Sequence, residues 1–334
     1  MMMIPGLAAT VLAAAPAAPA PAQVLPTAYE AGHFYAAPET VDGQRLRLVV
    51  DTGGGGAAGM YWLREDVAER LRLQPAACRI GGASLAVARL PAYRPGRGLP
   101  PPGPGPCGPA VMIQTGTDGI SGDGQLGAGY LPGRVWTFDY PARRLVLEGG
   151  GWRPDPAAHA TRLGFPHDGA GRQASGFARI VIRVDGRPLD MLLDTGATAH
   201  PTAAGRQASG TPVTAQGYGV TSYIATSVLE RWHKAHPDWR VVNDGDDLRP
   251  RRPTRLIEVP RVEIAGWSVG PVWFTEQPDA AYRQFMAQWM DKPTDGAVGG
   301  NVFRHFSMTL DYPRETAYFR CVEGCAAATP PPGP

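Results

Sequence analysis

Two short apolar runs in this chain end in the same way. Leu48-Val49-Val50 runs into Asp51-Thr52-Gly53, and Met191-Leu192-Leu193 runs into Asp194-Thr195-Gly196. Runs of this length and composition suit buried strands. A carboxylate at the end of a buried strand is costly unless it is paired or hydrogen-bonded, so each aspartate calls for a reason. Upstream of each run an Asp-Gly pair, Asp42-Gly43 or Asp185-Gly186, sits between strand-like stretches. That is a strong local hairpin signal, and each Asp-Thr-Gly closes the second strand of a predicted hairpin. Elsewhere Leu63, Val67 and Leu71 recur at i, i+4 and i+8, with Arg64, Glu65, Asp66, Glu69 and Arg70 on the remaining faces. This spacing predicts a helix. Residues 110–114 and 177–184 read as strands, and residues 222–236 and 280–290 as helices.

The hairpin signal belongs to a longer repeat. Residues 41–53 align without a gap on residues 184–196, and seven of the thirteen positions are identical. A second block follows in each half. Asp123-Gly124-Gln125-Leu126-Gly127 matches Asp295-Gly296-Ala297-Val298-Gly299, and Thr137-Phe138-Asp139-Tyr140-Pro141 matches Thr309-Leu310-Asp311-Tyr312-Pro313. The order is the same both times: hairpin, Asp-Thr-Gly, an Asp-Gly-x-apolar-Gly corner, then a Thr-x-Asp-Tyr-Pro strand end. Two copies are too few for a solenoid. They predict two similar lobes facing one another.

Composition narrows the class. With 43 Gly and 35 Pro among 334 residues, a turn-rich β protein is expected rather than a helical bundle. The formal charge of +2 favours neither nucleic acid nor an anionic membrane as the main partner. Residues 1–22 read as a signal-like segment, apolar and then Ala-rich, although no Lys or Arg precedes the apolar stretch. No other stretch approaches the roughly 20 apolar residues of a membrane span. Four cysteines fit an exported chain, periplasmic or secreted. Of their three possible pairings the simplest is Cys78 with Cys107 and Cys321 with Cys325. The first would tie down the Pro-rich run 95–109. Cys-x-x-Cys is absent, which speaks against zinc or redox chemistry.

On both Asp-Thr-Gly triplets and both apolar-Gly corners, Leu126-Gly127 and Val298-Gly299, the chain resembles the aspartic peptidases, above all their two-lobed bacterial relatives. The run Gly299-Gly300-Asn301-Val302-Phe303 before Thr309-Leu310-Asp311-Tyr312 is similar to the closing segment of a pepsin-like lobe. The resemblance implies a mainly β fold with a few short helices. It implies two acid-protease-like lobes, residues 27–150 and 177–325, related by a pseudo-twofold axis. Residues 151–176 would be the linker and residues 326–334 a disordered tail. It implies an aspartic endopeptidase, monomeric and without cofactor or metal, acting on a peptide or protein substrate. Asp51 and Asp194 would share a proton and a water, one as general base and the other polarising the scissile carbonyl; such paired carboxylates are a standard instance of divergent pKa values. Thr52 and Thr195 would bond across to the opposite lobe. Gly53 and Gly196 would let backbone N–H groups approach the carboxylates. A catalytically inactive or specialised relative that binds peptides or proteins is the alternative.

The chain departs from that pattern after each triplet, where Gly54 and Ala197 stand in place of a Ser or Thr whose hydroxyl would bond a carboxylate. Loss of that donor predicts a dyad whose lower pKa is raised and an optimum moved up to about pH 5–7. Tyr93, Tyr218 and Tyr223 are the candidates for a flap. Other motifs carry less. Gly122-Asp123-Gly124-Gln125-Leu126-Gly127 has dinucleotide spacing, but Pro132-Gly133 interrupts any following helix. His233 and His236 have no acidic or Cys partner at motif spacing. Residues 243–247 read as a solvated acidic turn, and residues 249–255 as an exposed basic loop. The hexapeptide Gly-Arg-Gln-Ala-Ser-Gly occurs at 171–176 and again at 205–210, at an offset that fits neither repeat.

Overall fold

The computed structural model describes residues 20–55, 59–115, 122–248 and 254–328. Most of the signal-like segment, the first part of the basic run at 249–253, and residues 329–334 of the tail lie outside the described residues. The chain is mainly β, with the short helices Glu65–Arg70, Ala203–Ser209, Thr226–Ala235 and Gly300–Phe303, a π turn at Ala281–Phe285 and a 3-10 turn at Met286–Gln288.

Both Asp-Gly pairs turn the chain, by different routes. In the second half Val184 pairs with Arg187, and Asp185 and Gly186 take φ of +50° and +70°. This is the two-residue hairpin turn whose twist matches the flanking strands. In the first half the Thr40 N–H donates to the Gln44 carbonyl at 2.9 Å, and Gly43, at φ +88°, donates to the Thr40 carbonyl at 2.9 Å. That loop holds three residues and closes with a glycine bulge. The Thr40 hydroxyl selects it by accepting the Gln44 N–H at 3.0 Å. Arg183, in the matching place of the second half, has no such hydroxyl.

Each hairpin feeds a mixed sheet in which the same pairings recur. Leu48–Val50 lies antiparallel to His33–Ala36 and parallel to Gly124–Leu126, with Val50 opposite Leu126. Arg187–Leu193 lies antiparallel to Arg179–Val184 and parallel to Gly296–Val298, with Leu193 opposite Val298. Gly124–Leu126 continues antiparallel to Trp62–Arg64, which runs parallel to Ala110–Gln114. Gly296–Val298 continues antiparallel to Ser222–Ala225, which runs parallel to Val272–Gln277. Leu48–Val50 and residues 191–193 are buried at every position, on both faces of their sheets, which is why these runs are continuously apolar.

A third sheet ties the halves together. Val135–Asp139 pairs antiparallel with Phe306–Asp311, Thr137 sits opposite Thr309, and their hydroxyls are 2.8 Å apart. Arg144–Leu147 and then Gln23–Val24 extend this sheet on one side, and Thr316–Cys321 and then His159–Arg162 on the other. The last strand comes from the stretch expected to be a linker, and Leu163 and Phe165 beyond it are buried. One hydrophobic cluster runs through both halves. At its centre Tyr140 lies 4.9 Å from Phe34 and 6.0 Å from Phe303, ring centroid to centroid. Burying each such ring contributes about 1.5–3 kcal/mol.

Four expectations are corrected. The first helix begins at Glu65, because Trp62 and Leu63 are held in a strand between two neighbours. The helix expected from residue 222 begins at Thr226; Tyr223 and Ile224 are held in a strand that bonds on both edges. The acidic run at 243–247 falls within the strand Val241–Asp246 and the residue after it. Asp246 is 2% exposed and accepts the backbone N–H groups of His200 at 2.8 Å and Leu248 at 3.0 Å. The tail is ordered for its first residues, since Cys325–Ala327 pairs with Trp267–Val269.

Candidate active site

The two Asp-Thr-Gly corners meet at the centre of the molecule. Each aspartate leaves its strand by donating its N–H to the neighbouring corner, Asp51 to the Leu126 carbonyl and Asp194 to the Val298 carbonyl, both at 3.0 Å. The threonines cross-link the corners. The Thr52 N–H donates to the Thr195 hydroxyl at 3.1 Å, and the Thr195 N–H to the Thr52 hydroxyl at 3.0 Å. Each hydroxyl then donates to a carbonyl of the other half, Thr52 to Leu193 at 2.7 Å and Thr195 to Val50 at 2.8 Å. Every polar atom of both threonine side chains is thereby used in a site that excludes water, where such bonds fix geometry.

This grip brings the carboxyl groups of Asp51 and Asp194 into hydrogen-bond contact with one another. Oδ1 of Asp51 accepts the Gly53 N–H at 2.9 Å, and Oδ1 of Asp194 accepts the Gly196 N–H at 3.0 Å. The glycines have a further reason to be glycine. A Cβ on Gly53 would fall within 3.0 Å of the Asp194 carboxyl, and one on Gly196 within 3.0 Å of the Asp51 carboxyl. Each glycine thus leaves room for the aspartate of the other half.

Burial holds the Asp194 carboxyl well above the usual carboxylate range, and the charge of Asp51 beside it pushes in the same direction. Burial also raises Asp51, against the Asp194 carboxyl, the Gly53 and Gly54 N–H groups and the Gln125 amide, all of which favour its charge. The two carboxyls are therefore driven to ionise in separate steps, and the titration belongs to the pair.

Sequence reasoning missed Gln125 and Trp62. Gln125 stands in the corner strand, 6% exposed, and its Nε2 donates to Asp51 Oδ2. The Trp62 indole N–H donates to Gln125 Oε1 at 2.7 Å. A Cβ on Gly54 would overlap Gln125 Nε2 and the Asp51 carboxyl. The donor expected to be lost at position 54 is therefore supplied from another strand, and the argument for a raised optimum from its loss falls. The available signal was a polar residue in an apolar corner, facing a glycine, where the second half has Ala297.

A cavity of about 670 Å³ opens beside Gly53. Phe177, Phe285, Met286 and Trp289 line it from the second half, with Tyr130 and Pro104 from the first. Phe285 is 59% and Trp289 39% exposed, so large apolar surface lines its mouth. Of the three flap candidates, Tyr223 is partly buried, and its hydroxyl accepts the Thr198 N–H at 3.1 Å and donates to the Thr198 carbonyl. Tyr93 bonds Tyr61, hydroxyl to hydroxyl, at 2.8 Å. The ring of Tyr218 packs on His200, 5.0 Å between centroids. His236 pairs with Asp185 at 3.0 Å. Among the described residues no group of three or more His, Cys, Asp or Glu is placed to hold a metal ion.

The disulfides form between Cys78 and Cys107 and between Cys321 and Cys325. Paired cysteines are compatible with an oxidising compartment. Among the described residues no helix is long and apolar enough to cross a membrane. No family model matches the sequence, and no curated protein is significantly similar to it.

Proposed function

We propose that the chain is a two-lobed aspartic endopeptidase, exported and monomeric, whose halves are related by a pseudo-twofold axis and contribute one aspartate each. The observation that carries this reading is the contact between the Asp51 and Asp194 carboxyl groups across the reciprocal Thr52–Thr195 grip. The recurrence of strand pairings in both halves supports the axis, and the two disulfides support export.

In this reading the ionised carboxylate takes a proton from a water as it attacks the scissile carbonyl, and the protonated one donates to the developing oxyanion. The tetrahedral intermediate then collapses as its amine leaves with a proton. Low dielectric around the pair strengthens both interactions. The apolar cavity beside Gly53 suits a bulky apolar side chain of an extended peptide, through Phe177, Phe285 and Trp289.

The test is digestion of a denatured protein mixture by the mature chain from pH 2 to 8, beside Asp51→Asn and Asp194→Asn. Cleavage next to bulky apolar residues is expected from the wild type. A loss of roughly 10³-fold or more is expected from each variant, because the two carboxyls act as a unit. A folded wild type that cuts nothing would shift the assignment to a peptide-binding module.

A further inference from the structure

The two sides of the dyad are not equivalent, and the difference lies in one amide. Gln125 and Ala297 occupy the same place in the two corner strands, each directly before the apolar-Gly pair. Each has a partner across the strand edge, Trp62 opposite Gln125 and Tyr223 opposite Ala297. In the first half the partner's indole N–H donates to Gln125 Oε1, and the amide passes a donor on to Asp51 Oδ2. An indole nitrogen can only donate, so the Gln125 oxygen must face Trp62 and its NH₂ must face Asp51. In the second half Ala297 has no donor, and the Tyr223 hydroxyl turns to the Thr198 carbonyl instead. Gly54 completes the asymmetry, since any side chain there would displace the amide.

We propose that Gln125, oriented by Trp62, is a positioning residue that holds Asp51 as the ionised carboxylate and leaves the shared proton on Asp194. In the peptidase reading, on which these roles rest, Asp51 is the general base towards water and Asp194 is the acid that donates to the oxyanion. The physical ground is that a hydrogen bond to the charged form of a carboxyl favours that form, and bonds to an ionised acceptor are about twice as strong as neutral ones. Asp51 receives such a bond from a buried side chain, and among the described residues Asp194 has no counterpart to it. The Asp194 proton is held mainly by burial and then by the Asp51 charge, which agrees with this order. Among the described residues, the other titratable groups that sense the pair are the hydroxyls of Tyr140, towards Asp194, of Tyr223, towards both aspartates, and of Tyr312, towards Asp51. Burial raises all three, so they stay neutral and do not offset the bias.

The test follows the Asp Cγ carbons by ¹³C NMR across pH in the full mature chain, with Asp51→Asn and Asp194→Asn assigning the signals. The carbon that moves in the first step reports where the charge goes. Asp51 is expected to move first, with Asp194 protonated to well above the usual carboxylate range. In Gln125→Met, which keeps the length and removes the donor, the lower step should rise by roughly one pH unit. Trp62→Phe, which frees the amide to flip, should raise it less. The acidic limb of kcat/KM on a cleaved peptide should move with it. Asp194 ionising first would overturn the inference, and so would a lower step unmoved in a folded Gln125→Met. If the wild type cleaves and only the shift is missing, the inference fails and the peptidase reading stands. If it does not cleave, the carbon titration still decides the inference. If Gln125→Met does not fold, the wild-type order and Trp62→Phe decide it.

Discussion

His33 shows how a single residue can limit the pH range of the whole site. It lies in the first half, 1% exposed, with its Nε2 3.0 Å from the Thr198 hydroxyl of the second. That hydroxyl donates to the Gly196 carbonyl at 2.7 Å, so it accepts from an Nε2–H imidazole. Burial lowers the His33 pKa to about 4, and the Arg47 charge adds to this, against the Gly196 and Ala197 backbone. An unfolded histidine titrates near 6.5. Below that value the unfolded chain takes a proton that the fold refuses, so stability is complete above about pH 6.5 and falls as pH drops towards 4. The gap is worth about 3 kcal/mol. His33→Phe should therefore show a Tm that falls less between pH 7 and 5 than the wild type's; parallel curves would contradict the assignment. This gives a stability ground, separate from the dyad, for a working range that is not strongly acidic. The same scale shows what was legible beforehand. Asp51, Asp194 and their Thr-Gly neighbours are read from the repeat, because each is a costly residue type in an unusual place. Gln125 is not, because its meaning depends on the empty space at Gly54 and the indole of Trp62, residues distant in the chain.

Among the elements, the Pro-rich run between the strands Ala83–Arg89 and Ala110–Gln114 is the least able to fold on its own. It is held by the Tyr130 hydroxyl, which donates to the Pro100 carbonyl at 2.7 Å, by Arg134 on the Pro101 carbonyl, and by Cys107 bonded to Cys78. Cys78 and Cys107 are 29 residues apart. Closing a loop of that length stabilises by about 3–4 kcal/mol in the chain-entropy model. Cys78→Ser with Cys107→Ser should lower the unfolding free energy by that order in denaturant titration, and an unchanged midpoint would show that the two backbone anchors suffice. Helix signals were read less well than strand signals. The hexapeptide Gly-Arg-Gln-Ala-Ser-Gly explains why. At 205–210 it forms most of the helix Ala203–Ser209, capped by Thr202 and closed by Gly210 at φ +62°. At 171–176 it takes no helix, and four of its residues line the cavity beside Gly53. Its conformation is set by the cap in one place and by the cleft wall in the other.

Taken whole, the molecule is stitched across its midline by the Thr52–Thr195 grip, the Thr137–Thr309 contact and a sheet drawn from both halves. Shared core and shared sheet argue for one cooperative unit, so heat or denaturant should unfold the mature chain in a single transition reported alike by far-UV and aromatic signals. Thr52→Val leaves the Thr195 N–H and the Leu193 carbonyl buried without partners, and should cost about 2–4 kcal/mol while keeping that single transition. Two resolved transitions in the wild type would mean that the halves fold apart. The sequence alone determines the mainly β class, the paired aspartates, the hairpins that lead into them and the simplest disulfide pairing. These depend on local periodicity, on turn residues and on repetition, which survive in a one-dimensional record. Only the tertiary structure decides that Gln125 of a corner strand reaches a carboxylate, that part of the expected linker completes the central sheet, and that His33 is buried against the second half. Those outcomes depend on which distant side chains meet and on how much water is left between them, and neither is encoded in the neighbours of any one residue.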